Sequence, residues 1–185
     1  MLHVEATALP DVKIIRLKKF GDHRGFFSET YSRKAFTEAG IDHDFVQDNH
    51  SLSPVVGTLR GLHFQSPPFA QDKLIRVPRG RILDIAVDIR ASSPDFGKSV
   101  AVELSAENWL QVLVPAGFAH GFVTLEPDTE VLYKVSAPYA PTHDHGLAFD
   151  DPALGIDWGL PSERLILSDK DRKHPRLADL PRYFA

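Results

Sequence analysis

Five polar residues of this sequence lie in segments that are otherwise apolar, where Leu or Val would pack better. Arg60 and His63 belong to LRGLHFQ (59–65), and His120 belongs to PAGFAHGF. Lys73 opens KLIRVP, and Tyr133 falls on the inward-facing positions of EVLYKVS. Each has an ordinary structural explanation, such as a hydrogen-bonded core histidine or a solvated lysine. Together they predict a polar lining with a base that titrates near neutral pH, a weak phenolic acid and two cations, which suits proton transfer.

The spacing of Arg60 and His63 conflicts with simple strand alternation, because residues three apart point to opposite faces of a regular strand. Gly61 lies between them, and a β-bulge at this glycine would turn both side chains inward. We therefore predict an irregularity at Gly61 that brings Arg60 and His63 into one cavity.

Two aspartates interrupt the aliphatic strand RILDIAVDIR (81–90). Asp84 and Asp88 lie on the face opposite to Leu83. Either both face water, or Asp84 pairs with Lys73 on a neighbouring strand, and the sequence leaves both interpretations open. The second would explain an inward lysine, because burial of an unpaired ammonium group is unfavourable.

A histidine-based metal site is disfavoured by the sequence. PAGFAH (115–120) fits P-x-G-x-x-H, the second half of a metal-binding signature whose first half supplies H-x-H and then a glutamate. Here Gln65 stands two residues after His63, and no glutamate occurs between His63 and Glu103. Two histidines without a carboxylate are a poor ligand set for iron, manganese or zinc, so we expect no catalytic metal.

Short strands separated by turn residues must position these side chains. We predict a helix over 33–39, capped by Ser32 and ended by Gly40, and a second short helix over 105–109. The segment after Tyr139 is rich in Pro, Asp and Gly, and we expect it to wrap the core as ordered irregular chain. Many short strands with frequent turns indicate an antiparallel sandwich or barrel, an architecture that often binds a small ligand inside. The strands are predicted over 13–17, 55–64, 73–78, 81–90, 99–104, 110–115, 121–125 and 129–136.

Composition limits the function classes. The chain has 185 residues, 43% of them hydrophobic, which suits one domain with one core. Its lack of cysteine excludes thiolate catalysis, and its net charge of −4 argues against a nucleic-acid partner. The sequence shows neither a membrane-spanning apolar run nor a secretory signal, so we expect a soluble cytoplasmic protein without a membrane partner. By composition alone, KDRKHPR (170–176) is a solvated segment.

Over roughly residues 3–180 the chain resembles the dTDP-4-dehydrorhamnose 3,5-epimerases of the cupin superfamily. The resemblance implies an all-β, cupin-type antiparallel jelly-roll barrel with a few short helices, forming a single domain over residues 1–185. The motifs that carry it, in chain order, are FGDHRGFFSETY, FVQDNHS, GTLRGLHFQ, DKLIRVPRGRILDIAVDIR, VPAGFAHGF, LYKVSAPYAPTHDHG, DDPALGIDW and LSDKDR.

The resemblance also implies a reaction. The substrate would be a dTDP-linked 4-keto-6-deoxyhexose, whose C3 and C5 protons both flank the C4 ketone, so one base serves both centres without a cofactor. His63 matches the family's base, and Asp171 matches the carboxylate that orients it and keeps it basic. Tyr133 matches the acid that returns a proton from the opposite face, and Lys73 the cation beside the C4 oxygen. This role moves Asp171 from a solvated tail to the cavity.

Further positions match residues that bind the substrate. Tyr139 matches the aromatic residue that stacks on thymine. The chain departs from the family at Asp144, where a substrate-binding glutamate is frequent and the shorter carboxylate is expected to serve in its place, and at Phe149, where tryptophan is common. The resemblance implies a homodimer in which N-terminal residues, including the first two of the following set, complete the partner's site. Contacts to sugar, diphosphate or nucleoside are implied for Arg24, Glu29, Gln47, Asn49, Arg60, His120 and Lys170.

Two alternatives stay open at this stage. The same histidine, aspartate and tyrosine are compatible with an epimerase that inverts only C3 or only C5. A non-catalytic protein that binds nucleotide sugars is a different class, and the presence of His63, Tyr133 and Asp171 together argues against it, because binding alone needs neither an acid nor a base.

Overall fold

The computed structural model describes residues 2–185, and within them the chain is built mainly of short β-strands. One α-helix, α1 (Arg33–Glu38), and four 3₁₀ turns at 141–143, 162–164, 171–173 and 177–179 accompany them. The strands are β1 (His3–Ala6), β2 (Lys13–Arg16), β3 (Phe20–Asp22), β4 (Gly25–Phe27), β5 (Gln47–Ser53), β6 (Leu59–Gln65), β7 (Lys73–Arg79), β8 (Arg81–Asp88), β9 (Ser99–Ser105), β10 (Leu110–Val114), β11 (Phe118–Thr124), β12 (Thr129–Val135) and β13 (Asp144–Gly146).

Two antiparallel sheets face each other, and a separate hairpin stands apart from them. The larger sheet has the order β1-β2-β10-β7-β12-β5, and the smaller has the order β13-β6-β11-β8-β9. Apart from β1–β2 and β8–β9, strands that are neighbours in these sheets come from distant parts of the chain, as in the two-sheet arrangement of a jelly roll. The predicted all-β, cupin-type fold is confirmed. Strands β3 and β4 pair only with each other.

The main core lies between the two sheets. Ile75 and Val112 reach it from the larger sheet, and Ile82, Ala86 and Phe122 from the smaller one. Alternation along the strands places these side chains inward. Complete burial of an aliphatic side chain such as Ile75 or Val112 stabilises the fold by roughly 1.5–3 kcal/mol.

A second apolar layer covers the outer face of the smaller sheet. Ile85 and Val87 of β8 belong to it, packed beneath Leu147, Leu154 and Trp158 from the irregular C-terminal segment. The prediction that this segment wraps the core is therefore confirmed. Because β8 is buried on both faces, its sequence is aliphatic at both odd and even positions.

Two local predictions have different outcomes. Helix α1 begins after Ser32, whose hydroxyl accepts a hydrogen bond from the Ala35 amide, and Gly40 follows it with a φ of +81°. The helix predicted over 105–109 is wrong. There, Asn108 and Ser105 exchange side-chain to main-chain hydrogen bonds that close a tight turn.

Within residues 2–185, none of the helices has the length and apolarity needed to cross a membrane.

The predicted strand 55–64 is wrong in its first part, because β6 begins only at Leu59. Residues 54–58 turn instead, with Gly57 at a φ of +88° and its amide bonded to the Thr124 carbonyl. An added Cβ at Gly57 would lie 2.2 Å from the Arg164 carbonyl oxygen, so only glycine fits this close approach.

Candidate active site

A cavity of about 420 Å³ opens between the two sheets. Strands β5, β7 and β12 border it on one side, β6 and β11 on the other, and residues 166–171 of the C-terminal segment close one edge. An adjoining cavity of about 320 Å³ shares four of its lining residues, namely His63, Lys73, Tyr133 and Lys170. The two cavities form one continuous groove lined by the polar residues that the sequence singled out.

The irregularity at Gly61 is present and has the predicted effect. Gly61 has a φ of +132°, and the pairing of β6 with β11 shifts register at this point. Arg60 and His63 both line the larger cavity, so the prediction is confirmed. A side chain at position 61 would not fit, because its Cβ would lie 2.5 Å from the Cα of Gly121.

His63 and Asp171 form a hydrogen-bonded pair, with 2.6 Å between Nε2 and Oδ1. Burial lowers the pKa of His63, and the neighbouring Asp171 carboxylate opposes this effect. Burial opposes ionisation of Asp171, but the neighbouring imidazoles of His174 and His63 outweigh this effect and hold the pKa of this carboxyl well below its usual range. The pair is therefore a neutral imidazole and a carboxylate near pH 7, with Nδ1 of His63 left to accept a proton.

The composition-based prediction that residues 170–176 form a solvated segment is wrong for Asp171. Asp171 is only 4% exposed, whereas Arg172 and Lys173 beside it face solvent. The 3₁₀ turn 171–173 turns the carboxylate inward, and the Asp171 amide donates to Ser168 Oγ at 3.1 Å. A single acidic side chain thus leaves a charged surface segment to reach the cavity.

Lys73 points inward and is buried, so the solvated alternative is wrong. Its Nζ donates to the main-chain carbonyl of His63 at 3.2 Å. Burial lowers its pKa to about 8, against the opposing charges of Asp144 and Asp84. The ammonium group remains mostly charged at neutral pH, which is the state needed to stabilise a developing oxyanion.

The predicted pairing of Asp84 with Lys73 is wrong, and so is a water-facing position for Asp84 and Asp88. Asp84 is 2% exposed and hydrogen-bonds to Nε2 of His120 at 2.8 Å. Asp88 is fully buried and holds the guanidinium of Arg90. The contact between Asp84 on β8 and His120 on β11 is diagonal, because the residue directly opposite Asp84 in the strand pairing is Phe122.

Tyr133 lies on β12 and lines both cavities. Burial raises the pKa of its hydroxyl, and the charge of Arg60 partly opposes this rise. The phenol is therefore protonated at neutral pH and able to donate. Its ring packs against the core between the sheets, as expected from its alternation with Val131.

The adjoining cavity is lined by five predicted binding residues, Gln47, Asn49, Tyr139, Asp144 and Lys170. Gln47 donates to Asn49 Oδ1 at 2.9 Å, and its own Oε1 accepts from the Tyr139 amide at 3.1 Å. Asp144 accepts hydrogen bonds from the Tyr139 hydroxyl and the Lys170 ammonium group. The Tyr139 ring is largely exposed and free to stack on a flat ligand.

Arg24 and Glu29 lie outside this groove. Arg24 lies in the turn of the β3–β4 hairpin and pairs with Asp22. Glu29 borders a different cavity, beside Phe20 and Phe27. Within one chain, these two residues do not join the other predicted site residues.

Sequence reasoning missed Asp84 and His174 as members of the site. The inward position of Asp84 could have been predicted from the sequence, because this residue alternates with Ile82 and Ala86 on the face that reaches the core. For His174, the only indication in the sequence is its spacing of three residues from Asp171. Together with His63 and Asp171 it forms a group of possible metal ligands within 4.8 Å of one another. The 2.6 Å separation of Nε2 and Oδ1 favours a hydrogen bond, since ligands of one zinc ion lie roughly 3.3 Å apart.

Comparisons with known proteins agree with this architecture. The sequence profile of the family described as dTDP-4-dehydrorhamnose 3,5-epimerase matches residues 6–179. A relative of that name from Sinorhizobium fredii is 52% identical over 180 residues, which cover 97% of this chain and 92% of that protein.

Two solved structures are closely similar. The dTDP-4-dehydrorhamnose 3,5-epimerase from Bacillus anthracis, with TDP and PPi bound, has a TM-score of 0.92 and 49% identity, covering 95% of this chain and 99% of that one. The dTDP-6-deoxy-D-glucose-3,5-epimerase from Legionella pneumophila, in complex with dTDP-4-keto-L-rhamnose, has a TM-score of 0.93 and 43% identity, covering all of both chains. The chain therefore belongs to the dTDP-4-dehydrorhamnose 3,5-epimerase family.

Proposed function

We propose that this protein inverts C3 and C5 of dTDP-4-dehydro-6-deoxy-D-glucose and so makes dTDP-4-dehydro-L-rhamnose in dTDP-L-rhamnose biosynthesis. The observation that carries this proposal is the shared cavity of His63, Lys73 and Tyr133, with Asp171 bound behind His63. These groups are a neutral base, a cation and a protonated phenol near pH 7.

His63 is proposed to remove the proton on the carbon beside the C4 ketone. The electron pair of the C–H bond moves into the C–C bond, and the carbonyl oxygen becomes an enolate. Asp171 stabilises the imidazolium that forms, because its carboxylate stays ionised and hydrogen-bonded to Nε2. The C3 and C5 protons are both adjacent to C4, so this step serves either centre.

Lys73 is proposed to stabilise the enolate oxygen, a charge interaction that is stronger in a cavity than in water. Tyr133 then donates its proton to the carbon from the opposite face, which inverts the centre. One proton moves from carbon to His63 and one from Tyr133 to carbon. Exchange with water returns both groups to their starting states.

The adjoining cavity is proposed to hold the nucleotide. Lys170, which lines both cavities, and Arg60, which lines the larger one, suit the diphosphate, because an ammonium supplies a point charge and a guanidinium forms two parallel hydrogen bonds. Tyr139 is proposed to stack on thymine, with Gln47 and Asn49 beside it. His120 is proposed to contact the sugar, held by its hydrogen bond to Asp84. Asp144, which replaces the longer glutamate, is proposed to orient Lys170 and Tyr139 rather than the ligand itself.

We propose that the active form is a homodimer in which the β3–β4 hairpin completes the partner's site. Phe20, Phe26 and Phe27 are each more than half exposed, an unusual concentration of apolar surface on a short hairpin. Arg24 at its tip and Glu29 just after it are charged groups with no access to the groove of their own chain. In a dimer, the hairpin would pack against the partner's groove, and these two charged side chains would reach the ligand bound there.

The decisive experiment is incubation with dTDP-4-keto-6-deoxyglucose in D2O, followed by NMR of the C3 and C5 positions. We expect deuterium at both carbons together with inversion. His63→Ala should abolish uptake at both, while Tyr133→Phe should impair inversion more than exchange. Full turnover by His63→Ala would overturn the assignment of the base.

The same spectra separate the alternatives. Labelling confined to C3 or to C5 would identify an enzyme that inverts one centre only. Binding of the sugar nucleotide without any labelling in the wild-type protein would identify a non-catalytic binding protein and contradict the proposed reaction.

A further inference from the structure

His174 is the one imidazole of the site for which the proposed reaction has no use. Its Nε2 lies 3.4 Å from Oδ1 of Asp171, the same oxygen that bonds to His63 at 2.6 Å. The rings of His63 and His174 meet edge to face, with 5.4 Å between centroids. The two imidazoles thus approach one carboxylate oxygen from two directions.

The surrounding chain is built to hold this ring in place. The His174 side chain is about nine-tenths buried, and its Nε2 has no formed hydrogen bond among residues 2–185. The Asp171 oxygen, 3.4 Å away, is the acceptor that this nitrogen approaches. Gly146 pairs directly with His63 across β13 and β6, and a Cβ at Gly146 would lie 2.3 Å from the His174 ring. The carbonyl of Pro175 next to it accepts from the Ala148 amide at 2.8 Å. A glycine beside the base therefore makes room for the second histidine.

We propose that His174 is a positioning residue for the proton-abstracting histidine, holding the Asp171 carboxylate as a second N–H donor. This inference rests on the proposed function, because it assigns His63 as the base. Two donors on one oxygen fix the carboxylate, and the edge-to-face contact fixes the ring plane of His63. By sharing the charge of Asp171, His174 also limits how strongly that carboxylate raises the proton affinity of His63.

Charged and titratable groups face His63 from every element packed against it. They are Asp171, His174 and Lys170 of the C-terminal segment, Lys73 of β7, Asp144 of β13, His120 of β11, Tyr133 of β12 and Arg60 of its own strand. Among these, Asp171 raises the pKa of His63, whereas Lys73 and His174 lower it. Loss of the His174 donor should therefore move the acidic limb of the pH–rate profile to higher pH.

The test compares His174→Phe, which keeps a flat ring over Gly146, with His174→Gln, which keeps an N–H donor. We expect His174→Phe to lower kcat about tenfold with little change in KM and to shift the acidic limb of kcat upward. His174→Gln should recover most of the rate and the original limb. Thermal unfolding of both variants reports on folding, and His174→Leu replaces the Phe variant if that protein is unstable.

Two results would overturn the inference. A pH–rate profile of His174→Phe that coincides with wild type shows that the donor is dispensable. Equal losses in the Phe and Gln variants at every pH show a purely structural role. The wild-type control keeps the two hypotheses apart, since a wild-type protein that exchanges no deuterium contradicts the proposed function itself.

Discussion

The Nε2 atom of His63 lies 2.6 Å from Oδ1 of Asp171, although 108 positions separate the two residues in the chain. His63 sits on a central strand of the smaller sheet, and Asp171 sits on an irregular segment packed around that sheet. The contact therefore depends on correct packing of the C-terminal segment. It places a carboxylate beside the ring of His63, the charge partner that the proposed base requires to accept a proton.

Asp171→Asn keeps the size of the side chain and removes its charge. We expect kcat to fall by a factor on the order of 10² or more, because the amide neither stabilises the imidazolium nor fixes its tautomer. Since the carboxylate raises the pKa of His63, its loss should shift the acidic limb to lower pH. Asp169→Asn, an exposed neighbour, serves as the matched control. Wild-type kinetics in the Asp171 variant would contradict the pairing of base and carboxylate.

The pH profile of the wild-type enzyme should be bell-shaped. The proposed role of His63 as the base requires its neutral form, so activity should rise with pH through a value below the ordinary histidine pKa of about 6.5. The proposed role of Lys73 requires its cationic form, so activity should fall as pH rises through about 8, the pKa to which burial lowers this group. Tyr133 does not set this limb, because burial raises its pKa above the ordinary value.

Lys73→Arg tests which group sets the basic limb. An arginine stays charged far above pH 8, so the basic limb should move upward even if the longer side chain lowers kcat. Lys73→Met should lower kcat at all pH values by roughly 10²- to 10³-fold, as expected when a charge that stabilises an oxyanion is removed. A basic limb that is unchanged in Lys73→Arg would assign that limb to another group.

Gly61→Ala should be strongly destabilising. The φ of +132° is unfavourable for any residue with a Cβ, and that Cβ would collide with the backbone of Gly121. We expect a loss of about 3 kcal/mol in the free energy of unfolding, measured in urea, together with loss of activity. Gly40→Ala is the control, because its φ is also positive but its surroundings are open, so it should lose about 1 kcal/mol. Equal losses would show that the close contact at Gly61 is unimportant.

Asp84→Ala should destabilise the fold and weaken sugar binding. It leaves the His120 ring without its hydrogen-bond partner in a site where His120 is only 7% exposed. We expect a loss of roughly 2–3 kcal/mol in unfolding free energy and a higher KM. Asp48→Ala removes an exposed ion pair with Lys134 and should change stability by less than about 1 kcal/mol. Similar effects of the two substitutions would argue against a role for the buried pair.

The sequence predicted what depends on local pattern. Strand alternation placed Tyr133 inward, and a glycine between two polar residues predicted the irregularity that brings Arg60 and His63 together. The Ser32 cap and Gly40 bounded helix α1. Each of these features is decided by residues that are close neighbours in the chain, so their spacing carries the information.

Features that depend on distant contacts were not predicted by pattern. Asp84 meets His120 only through the diagonal register of β8 and β11, which a single strand does not encode. Asp171 looked solvated because its neighbours are charged, and only the family resemblance moved it inward. His174 escaped both routes, because its role depends on the missing side chain of Gly146, a residue distant in sequence.

The proposed exchange of hairpins predicts that two inactive variants restore each other. In a mixed dimer of Arg24→Ala and His63→Ala chains, one site combines an intact groove with an intact hairpin, while the other site lacks both residues. Random pairing after joint refolding should recover up to about a quarter of wild-type activity, since half of the dimers are mixed and each has one complete site. A mixture of His63→Ala and Asp171→Asn chains is the control, because both changes lie in the groove and no site becomes complete. Failure of the first mixture to exceed the control would show that Arg24 does not act on a partner's site.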